Sequence, residues 1–302
     1  MRRLLRRASH LSISLLFFAA DVAWRWACRC FGKVCEPHWV VLYYHSVPSE
    51  QACRFSKQMD LLIKLTTPIA ITALAECTGE DHYSSVTFDD VFQNVLDNAV
   101  PELVKREIPA AMFVTTGLLG QAAKWWPADS VEAQQKIVSA AELRDLPPHL
   151  ITVGSHTVNH PMLTLLSETE ARRELSSSKS ELRRILERDI SSFSFPYSVF
   201  NQQLAQLCHE VGYTHVFGGQ TISTSNAGNV TFSVIGRISA DPADWELEFG
   251  LKLLGAYRWM PYAIALKRAI LSNWPVRDVR SALSWRSDGQ RDVIRKCEST
   301  GE

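Results

Sequence analysis

The stretch that decides both the fold and the site is SHTVNHP, at residues 155–161. Its two histidines, His156 and His160, are four residues apart, and on one helical turn side chains at this spacing share a face and can reach a single ion. The apolar run LITVG at residues 150–154 precedes it and predicts a buried strand. The histidines therefore lie where a strand ends and a turn or helix begins, a position typical of active sites in α/β folds.

A second stretch, TFDD at residues 87–90, also ends a predicted strand and presents two neighbouring carboxylates. Catalytic zinc-type sites use three protein ligands and leave one position for water. Asp90, His156 and His160 would supply the three ligands. Asp89 would remain off the ion as a general base, because adjacent residues at a strand end point in different directions. Each pair alone is more often structural, but their combination predicts a metal-dependent hydrolase.

Strands and helices are predicted to alternate along most of the chain. The predicted strands lie at residues 38–45, 68–71, 84–88, 110–115, 150–154, 192–196, 214–217 and 231–238. The predicted helices between them lie at residues 55–65, 91–106 (interrupted near Pro101), 139–145, 167–188 and 201–211. This order implies a parallel sheet, and its repetition favours a closed or nearly closed β/α barrel. Loops at the carboxyl ends of such strands converge on one face, where we expect the candidate side chains to meet.

Composition and charge narrow the class of protein. The hydrophobic fraction is 46% and the formal net charge is +0, so the chain is globular and creates no field that would attract nucleic acid. Seven cysteines occur without zinc-finger spacing. We interpret them as reduced thiols, which favours the cytosolic side of a membrane. Nothing in the sequence specifies an oligomeric state.

The amino-terminal segment is basic and then apolar. Four arginines occur in the first seven residues, and the apolar run at residues 11–20 is too short by itself to span a bilayer. The segment could be the core of a signal peptide. We favour a basic amphipathic helix on an anionic membrane surface, with peripheral contact through residues 1–31 and with Trp24, Trp26 and Phe31 at the interface. The expected location is cytoplasmic or cytoplasmic-membrane-associated, with a periplasmic or exported protein as the alternative.

Three domains or segments are predicted from these patterns. They are the amino-terminal segment 1–36, a catalytic domain at 37–245, and a helical extension with a polar tail at 246–302. Within the catalytic domain, residues 120–140 form a predicted insertion that contains Trp125 and Trp126. These tryptophans could stack on sugar rings or could cap the core.

Four segments resemble motifs of one known family. TFDD and SHTVNHPML, at residues 87–90 and 155–163, resemble the first two motifs of the polysaccharide deacetylases, the nodulation-type domain of carbohydrate esterase family four. FSFPYS at residues 193–198 is similar to the third motif, and LYYHSV at residues 42–47 resembles the start of an exopolysaccharide-associated branch. The likeness covers residues 38–244.

The resemblance implies a distorted β/α barrel that removes acetyl groups from N-acetylated sugars. It implies that Asp89 is the general base and that a divalent metal is bound by Asp90, His156 and His160. We expect Zn²⁺, with Co²⁺ or Ni²⁺ as alternatives.

The third motif carries a further implication for the substrate groove. Phe195, Pro196 and Tyr197 would form one wall of it. The backbone N–H of Tyr197 would bind the oxyanion.

The sequence also departs from the family at three positions. Val91 replaces the glycine that usually follows the aspartate pair. The third motif lacks the arginine that pairs with the catalytic base in many members, and Ser194 lies near that place. No histidine follows Trp245, so the family's usual general acid is missing. His45, at the end of the first strand, could protonate the leaving amine instead, or could orient a loop.

The sequence therefore predicts a hydrolase of carbon–nitrogen bonds that deacetylates an N-acetylated polysaccharide or oligosaccharide. The expected setting is bacterial exopolysaccharide or cell-envelope biosynthesis, because residues 236–257 resemble the carboxyl-terminal part of deacetylases encoded with exopolysaccharide synthesis. Two alternatives remain open. One is an amide hydrolase that acts on a small or lipid-linked substrate on the same scaffold, and the other is a non-catalytic glycan-binding protein.

Overall fold

Parallel strands alternate with helices in the computed structural model, which describes residues 2–33, 38–73, 77, 81–123, 125–126, 130, 132–219, 222–225, 231–260 and 263. The strands of this described part are β1 (His38–Tyr44), β2 (Thr67–Pro68), β3 (His82–Asp90), β4 (Ala110–Val114), β5 (Ile151–Ser155), β6 (Ser192–Ser194), β7 (His215–Gly218), β8 (Ile222–Ser225), β9 (Thr231–Gly236) and β10 (Ile238–Ser239). The helices are α1 (Arg2–Cys30), α2 (Ala52–Leu65), α3 (Gln93–Asn98), α4 (Val100–Lys105), α5 (Ala140–Asp145), α6 (Glu168–Leu186), α7 (Gln202–Glu210) and α8 (Glu246–Leu253).

The strands form one sheet whose two ends approach each other. Its order is β10-β1-β3-β4-β5-β6-β7-β9-β8, with β2 paired to β3 off this path. All neighbouring strands are parallel except β8 and β9. Arg237 alone separates β9, which pairs with β7, from β10, which pairs with β1. This stretch therefore connects β9, next to the last strand of the path, with β10, the first strand. The predicted, nearly closed β/α barrel is confirmed.

Alternation along each strand separates the outer core from the barrel interior. On β3, Val86 and Phe88 belong to the large apolar core. Thr87 and Asp89, between and after them, contact Arg237 instead. Successive side chains of a strand point to opposite faces, so Thr87 and Asp89 face the interior whereas Val86 and Phe88 face the outer core. A smaller cluster, which includes Val41 on β1, fills the rest of that interior.

Two of the predicted helices begin with a capping box. Ser167 and Glu170 form a capping box at the start of α6, and Ser139 and Glu142 form one at α5. The interruption predicted near Pro101 is confirmed, because residues 91–106 divide into α3 and α4 and a proline lies in the first turn of α4.

Three expectations are corrected by the structure. Strand β2 is shorter than predicted, and β8 lies between the strands predicted at 214–217 and 231–238, where no strand is predicted. The apolar helix predicted from Glu246 ends at Leu253, and Gly255 follows with a φ of 73°. Residues 264–302, with the predicted polar tail, lie outside the described part of the chain.

The amino-terminal helix is longer than its apolar run. Helix α1 continues through both flanks of residues 11–20, and Leu5–Cys30 is long and apolar enough to cross a membrane by length and composition alone. The prediction that this segment is too short to span a bilayer considered only the apolar run at residues 11–20. In the folded chain α1 packs against α8.

Candidate metal centre and active site

The aspartate pair ends strand β3 at a sharp change of backbone direction. Asp89 is still extended, whereas Asp90 and Val91 adopt left-handed φ values of 65° and 54°. Both carboxylates are buried. The turn sends the two neighbouring side chains to different partners, as the strand end predicts.

The two histidines lie in a loop rather than on a helical turn, so that part of the prediction is wrong. Thr157 and His160 have φ values of 70° and 58°, which a helix does not allow. The Thr157 hydroxyl accepts the His160 N–H at 3.0 Å. Glu174, on α6, accepts the backbone N–H groups of Val158 and Asn159 at 2.8 and 3.0 Å. These bonds hold the loop in a shape that returns both imidazoles to one place.

Asp90, His156 and His160 come together as one buried group. Their ligand atoms all lie within 4.8 Å of one another. Asp90 Oδ1 is 3.4 Å from His160 Nε2 and 3.8 Å from His156 Nε2. Within the described residues, this oxygen is buried without a hydrogen-bond partner. The unsatisfied carboxylate oxygen and the two imidazole nitrogens supply three ligand atoms, which fits a divalent cation. A buried acceptor normally has a partner, and a cation would be that partner here.

The protonation of the histidines also fits a cation. His156 Nδ1 lies 2.8 Å from the Ser194 carbonyl oxygen, so the ring donates there and leaves the Nε2 lone pair toward Asp90. Burial, with a further contribution from His156, lowers the pKa of His160 well below its usual range. The His160 ring is therefore available as a neutral ligand near pH 7.

Two tryptophans of the predicted insertion fix the other oxygen of Asp90. Trp125 and Trp126 donate their indole N–H groups to Asp90 Oδ2 at 3.2 and 3.0 Å. The Trp125 ring also stacks on the His160 ring, with centroids 4.1 Å apart and an interplanar angle of 12°. The insertion thus covers the group formed by Asp90, His156 and His160, and its tryptophans line the cavity.

Asp89 has a cationic partner that the sequence analysis did not identify. Arg237 donates to Asp89 Oδ1 at 2.8 Å and to Oδ2 at 2.6 Å, in a bidentate pair. It also donates to Ser194 Oγ at 2.7 Å and to Thr87 Oγ1 at 3.1 Å. Burial acts to raise the pKa of Asp89, but the charge and hydrogen bonds of Arg237, together with the nearby His156 and His45, lower that pKa to about 2.

This pair accounts for the missing arginine of the third motif. The guanidinium comes from the junction of β9 and β10 instead, and it contacts Ser194, the residue near the expected position. The sequence signal that could have identified it is Arg237 within a predicted strand, at an interior position of the barrel.

His45 lies in the same cavity, just beyond β1. Its ring centroid is 5.2 Å from that of Trp126 and 5.6 Å from that of Tyr43, edge-on in both cases. The structure therefore brings this predicted acid candidate to the site.

The third motif contributes only Tyr197 of its three predicted groove residues. The Tyr197 ring packs edge-on against His160 at 4.7 Å. Phe195 and Pro196 are buried and do not line the cavity, and Phe195 stacks on Phe200 at 5.0 Å. Since Ser194 faces the interior, its neighbour Phe195 must point outward into the core.

The cavity is small and is formed by strained loops. It measures about 460 Å³ including its open mouth, and its walls are Tyr43, His45, Asp89, Asp90, Trp125, Trp126, His156, His160, Tyr197 and Ser198. Among described residues other than glycine, six of the eight with positive φ belong to the three site loops: Asp90, Val91, Thr157, His160, Tyr197 and Ser198. Strained backbone of this kind is typical of functional sites.

Comparison with known proteins identifies related chains. Residues 77–216 match the family model described as polysaccharide deacetylase. A curated relative, the putative polysaccharide deacetylase YxkH of Bacillus subtilis (strain 168), is 20% identical over 184 residues. That match covers 57% of this chain and 61% of the relative, which is less than two thirds of the relative's length.

Solved structures share the fold. IcaB from Ammonifex degensii is 21% identical with a TM-score of 0.58, over 72% of this chain and 97% of that one. The Streptococcus pyogenes deacetylase PplD, in complex with acetate, is 18% identical with a TM-score of 0.56, over 74% and 99%. The BpsB deacetylase domain from Bordetella bronchiseptica is 19% identical with a TM-score of 0.54, over 67% and 96%. The barrel is therefore of the same type as in these proteins.

Proposed function

Because residues 77–216 belong to the polysaccharide deacetylase family, we propose that this chain is a metal-dependent carbohydrate N-deacetylase with its chemistry at the Asp89–Asp90 pair. The observation that carries the proposal is the different environment of two adjacent carboxylates. Asp89 is paired with an arginine, whereas Asp90 faces two imidazoles and keeps one oxygen unsatisfied. One carboxylate is thus suited to proton transfer and the other to ligation.

Asp90, His156 and His160 would hold the divalent cation. Hard and borderline oxygen and nitrogen donors in this number suit Zn²⁺, with Co²⁺ or Ni²⁺ as alternatives. When bound, such an ion would lower the pKa of a water molecule and polarise the acetyl carbonyl. The indole N–H groups of Trp125 and Trp126 would keep Oδ2 occupied, so that Asp90 presents Oδ1 alone.

Asp89 would remove the proton from the attacking water. With a pKa of about 2 it is ionised at neutral pH, and Arg237 holds both of its oxygens in a fixed orientation. Arg237 cannot ligate a cation, and its positive charge keeps Asp89 from being drawn into the ligand set. We therefore assign Arg237 as the positioning residue for the base.

His45 would protonate the leaving amine. Among the residues that the structure describes, it is the one cavity-lining histidine outside the ligand group. A neutral imidazole that gains a proton can deliver it as a general acid near pH 7. The backbone N–H of Tyr197, whose residue also lines the cavity, would bind the developing oxyanion.

The substrate would be an N-acetylated polysaccharide or oligosaccharide of bacterial exopolysaccharide or cell-envelope biosynthesis. The family implies an acetylated glycan, and the motif at residues 42–47 supports the exopolysaccharide setting. Residues 37–245 would be the catalytic domain. A small or lipid-linked amide remains the second candidate, because the cavity itself is small.

The test is acetate release from N-acetylglucosamine oligomers by metal-stripped protein, before and after Zn²⁺ or Co²⁺ is restored. Release that requires the ion supports the proposal. Stoichiometric metal binding without release from any oligomer length would favour the lipid-linked or small amide. Glycan binding with neither metal uptake nor release would favour a non-catalytic glycan-binding protein.

A further inference from the structure

Helix α1 is attached to the barrel by a polar stripe. Arg7 pairs with Glu248 at 2.6 Å, and its guanidinium also donates to the Ala243 carbonyl at 2.9 Å. Two turns further on, the fully buried Ser14 accepts the indole N–H of Trp259 at 2.8 Å. These contacts continue along the helix at heptad spacing, which keeps them on one face.

The same stripe ends in a second group of ion pairs. Asp21 accepts from Arg258 at 3.2 Å and from Arg25 at 3.2 Å, and it lies 3.7 Å from His38 at the start of β1. From Ala8 to Cys28, Asp21 and Arg25 are the only Asp, Glu, Lys or Arg residues in the sequence. Both point toward the barrel. The charged side of α1 is therefore its inner side.

The outer side of α1 is exposed, and it is mostly apolar apart from Ser9 and Ser12, whose hydroxyls donate to backbone carbonyls of the same helix. Leu5 and Leu16 lie opposite the stripe, and Leu16 is 74% exposed. Trp24 and Trp26, each 69% exposed, flank this outer side near the end of the helix. The described part of the chain does not cover them. A helix in contact with water has the reverse arrangement, with its apolar face inward.

We propose that α1 lies in the plane of a bilayer that contains anionic lipids, with its outer side in the lipid interface and its inner side bound to the barrel. Leucines with flanking tryptophans suit the boundary between headgroups and acyl chains. Arg2, Arg3 and Arg6, which precede the inner contact of Arg7 in the sequence, suit an anionic surface. The proposal uses no cavity residue, so it stands or falls independently of the proposed function.

The inner contacts decide between an in-plane and a spanning helix. They run from Arg7 to Asp21, which is about 20 Å along a helix, so α1 lies along the domain. A spanning arrangement would break both groups of ion pairs and would place Asp21 and Arg25 in hydrocarbon. Loss of α1 would likewise leave the buried Glu248 without its closest cationic partner. The contacts therefore favour a retained helix on one membrane surface.

The position of α1 also places the cavity relative to the membrane. Arg7 contacts Ala243, and the nearby Ala240 N–H bonds the carbonyl of Tyr43, a residue of the cavity wall. The amino-terminal end of α1 is thus at the end of the barrel that holds the site. An in-plane α1 would keep the cavity close to glycans held at that surface.

The experiment is flotation of the full chain with vesicles of equal parts phosphatidylcholine and phosphatidylglycerol. The variant is Leu16→Glu, and the matched control is Leu165→Glu, since Leu165 is 77% exposed and lies outside α1. We expect wild type and Leu165→Glu to float alike and Leu16→Glu to bind at least about tenfold more weakly. Thermal unfolding should be alike in all three, because both leucines are exposed. Wild type that stays unbound, or Leu16→Glu that floats like wild type, would overturn the proposal.

A labelling experiment separates the in-plane helix from a spanning one. One cysteine is added before Met1 and another is introduced by Lys33→Cys, and vesicle-bound protein is treated with an impermeant maleimide. Mass spectrometry then locates the modified sites. Modification of both ends from outside supports the in-plane helix. Protection of one end alone would mean that α1 spans the bilayer, which contradicts the proposal.

Discussion

Arg237 and Asp89 form a bidentate ion pair inside the barrel although 148 residues separate them in the sequence. The arginine stands at the junction of β9 and β10, the point where the sheet returns to β1. One residue therefore takes part in both the closure of the barrel and the orientation of the proposed base. This coupling makes the pair a test of fold and function together.

Replacement of Arg237 by methionine should be strongly destabilising. Removal of one partner of a buried ion pair leaves an uncompensated charge, which costs about 3–5 kcal/mol. Urea unfolding at pH 7 measures this loss. Arg237→Lys retains the charge without the two-pronged geometry, so it should recover part of the stability but little of the activity. Equal stability in wild type and Arg237→Met would show that the pair contributes nothing.

The same pair predicts a pH dependence of stability. The folded-state pKa of Asp89, about 2, lies below its unfolded value, so its contribution is complete above about pH 4 and is lost as the pH falls toward 2. Wild type should therefore lose more stability than Arg237→Met over this acid range. Unfolding curves at successive pH values, compared between the two proteins, measure the difference.

Trp126→Phe should weaken metal binding without removing a ligand. It keeps a ring in the cavity wall but deletes one of the two N–H groups that hold Asp90 Oδ2. Loss of such an outer partner typically costs about 10–100-fold in metal affinity. Competition with a chelator measures the affinity for Zn²⁺. Trp24→Phe, the same change on the exposed side of α1, is the control and should bind the metal like wild type.

Val91→Gly tests the departure from the family's usual glycine. The left-handed φ of 54° is unfavourable for a β-branched residue, and glycine would relieve about 1–2 kcal/mol of strain. Val91 is also fully buried, and its loss costs about 2–3 kcal/mol or more. The second effect is larger, so we expect a net loss of stability in urea unfolding. Val138→Gly, at a buried valine with no such strain, should cost more than Val91→Gly.

His45→Gln should slow turnover without affecting the metal. If His45 delivers the proton to the leaving amine, its loss should lower kcat by about 100-fold or more. Metal stoichiometry should stay at the wild-type value. His149→Gln, on an exposed histidine, serves as the control. An unchanged kcat in His45→Gln would assign the acid to another group.

Much of this architecture could be predicted from local patterns, because strands and capped helices are specified by nearby residues. The barrel, the capping boxes of α5 and α6, and the strand end at Asp89 follow from periodicity and caps. Arg237 could not be assigned by the same means. Its partner is distant in sequence, and only the closure of the sheet brings the two together.

The histidine loop shows a different limit of local reasoning. The spacing of His156 and His160 fits a helical turn, but Thr157 and His160 adopt left-handed backbone that their residue types disfavour. Contacts from Glu174 on α6 hold the loop in this form. Phe195 was assigned to the groove from a motif, although alternation from Ser194 places it in the core.

The measurement that tests the central claim most directly is a comparison of Asp89→Asn with Asp90→Asn, scoring bound Zn²⁺ and acetate release on the same samples. We predict that Asp89→Asn keeps one ion per chain, because the ligands Asp90, His156 and His160 remain intact. It should lose turnover, because the proposed base is removed. Asp90→Asn should lose both the ion and turnover. If Asp89→Asn lost the metal, or if it retained full activity, the division of roles between these adjacent carboxylates would be contradicted.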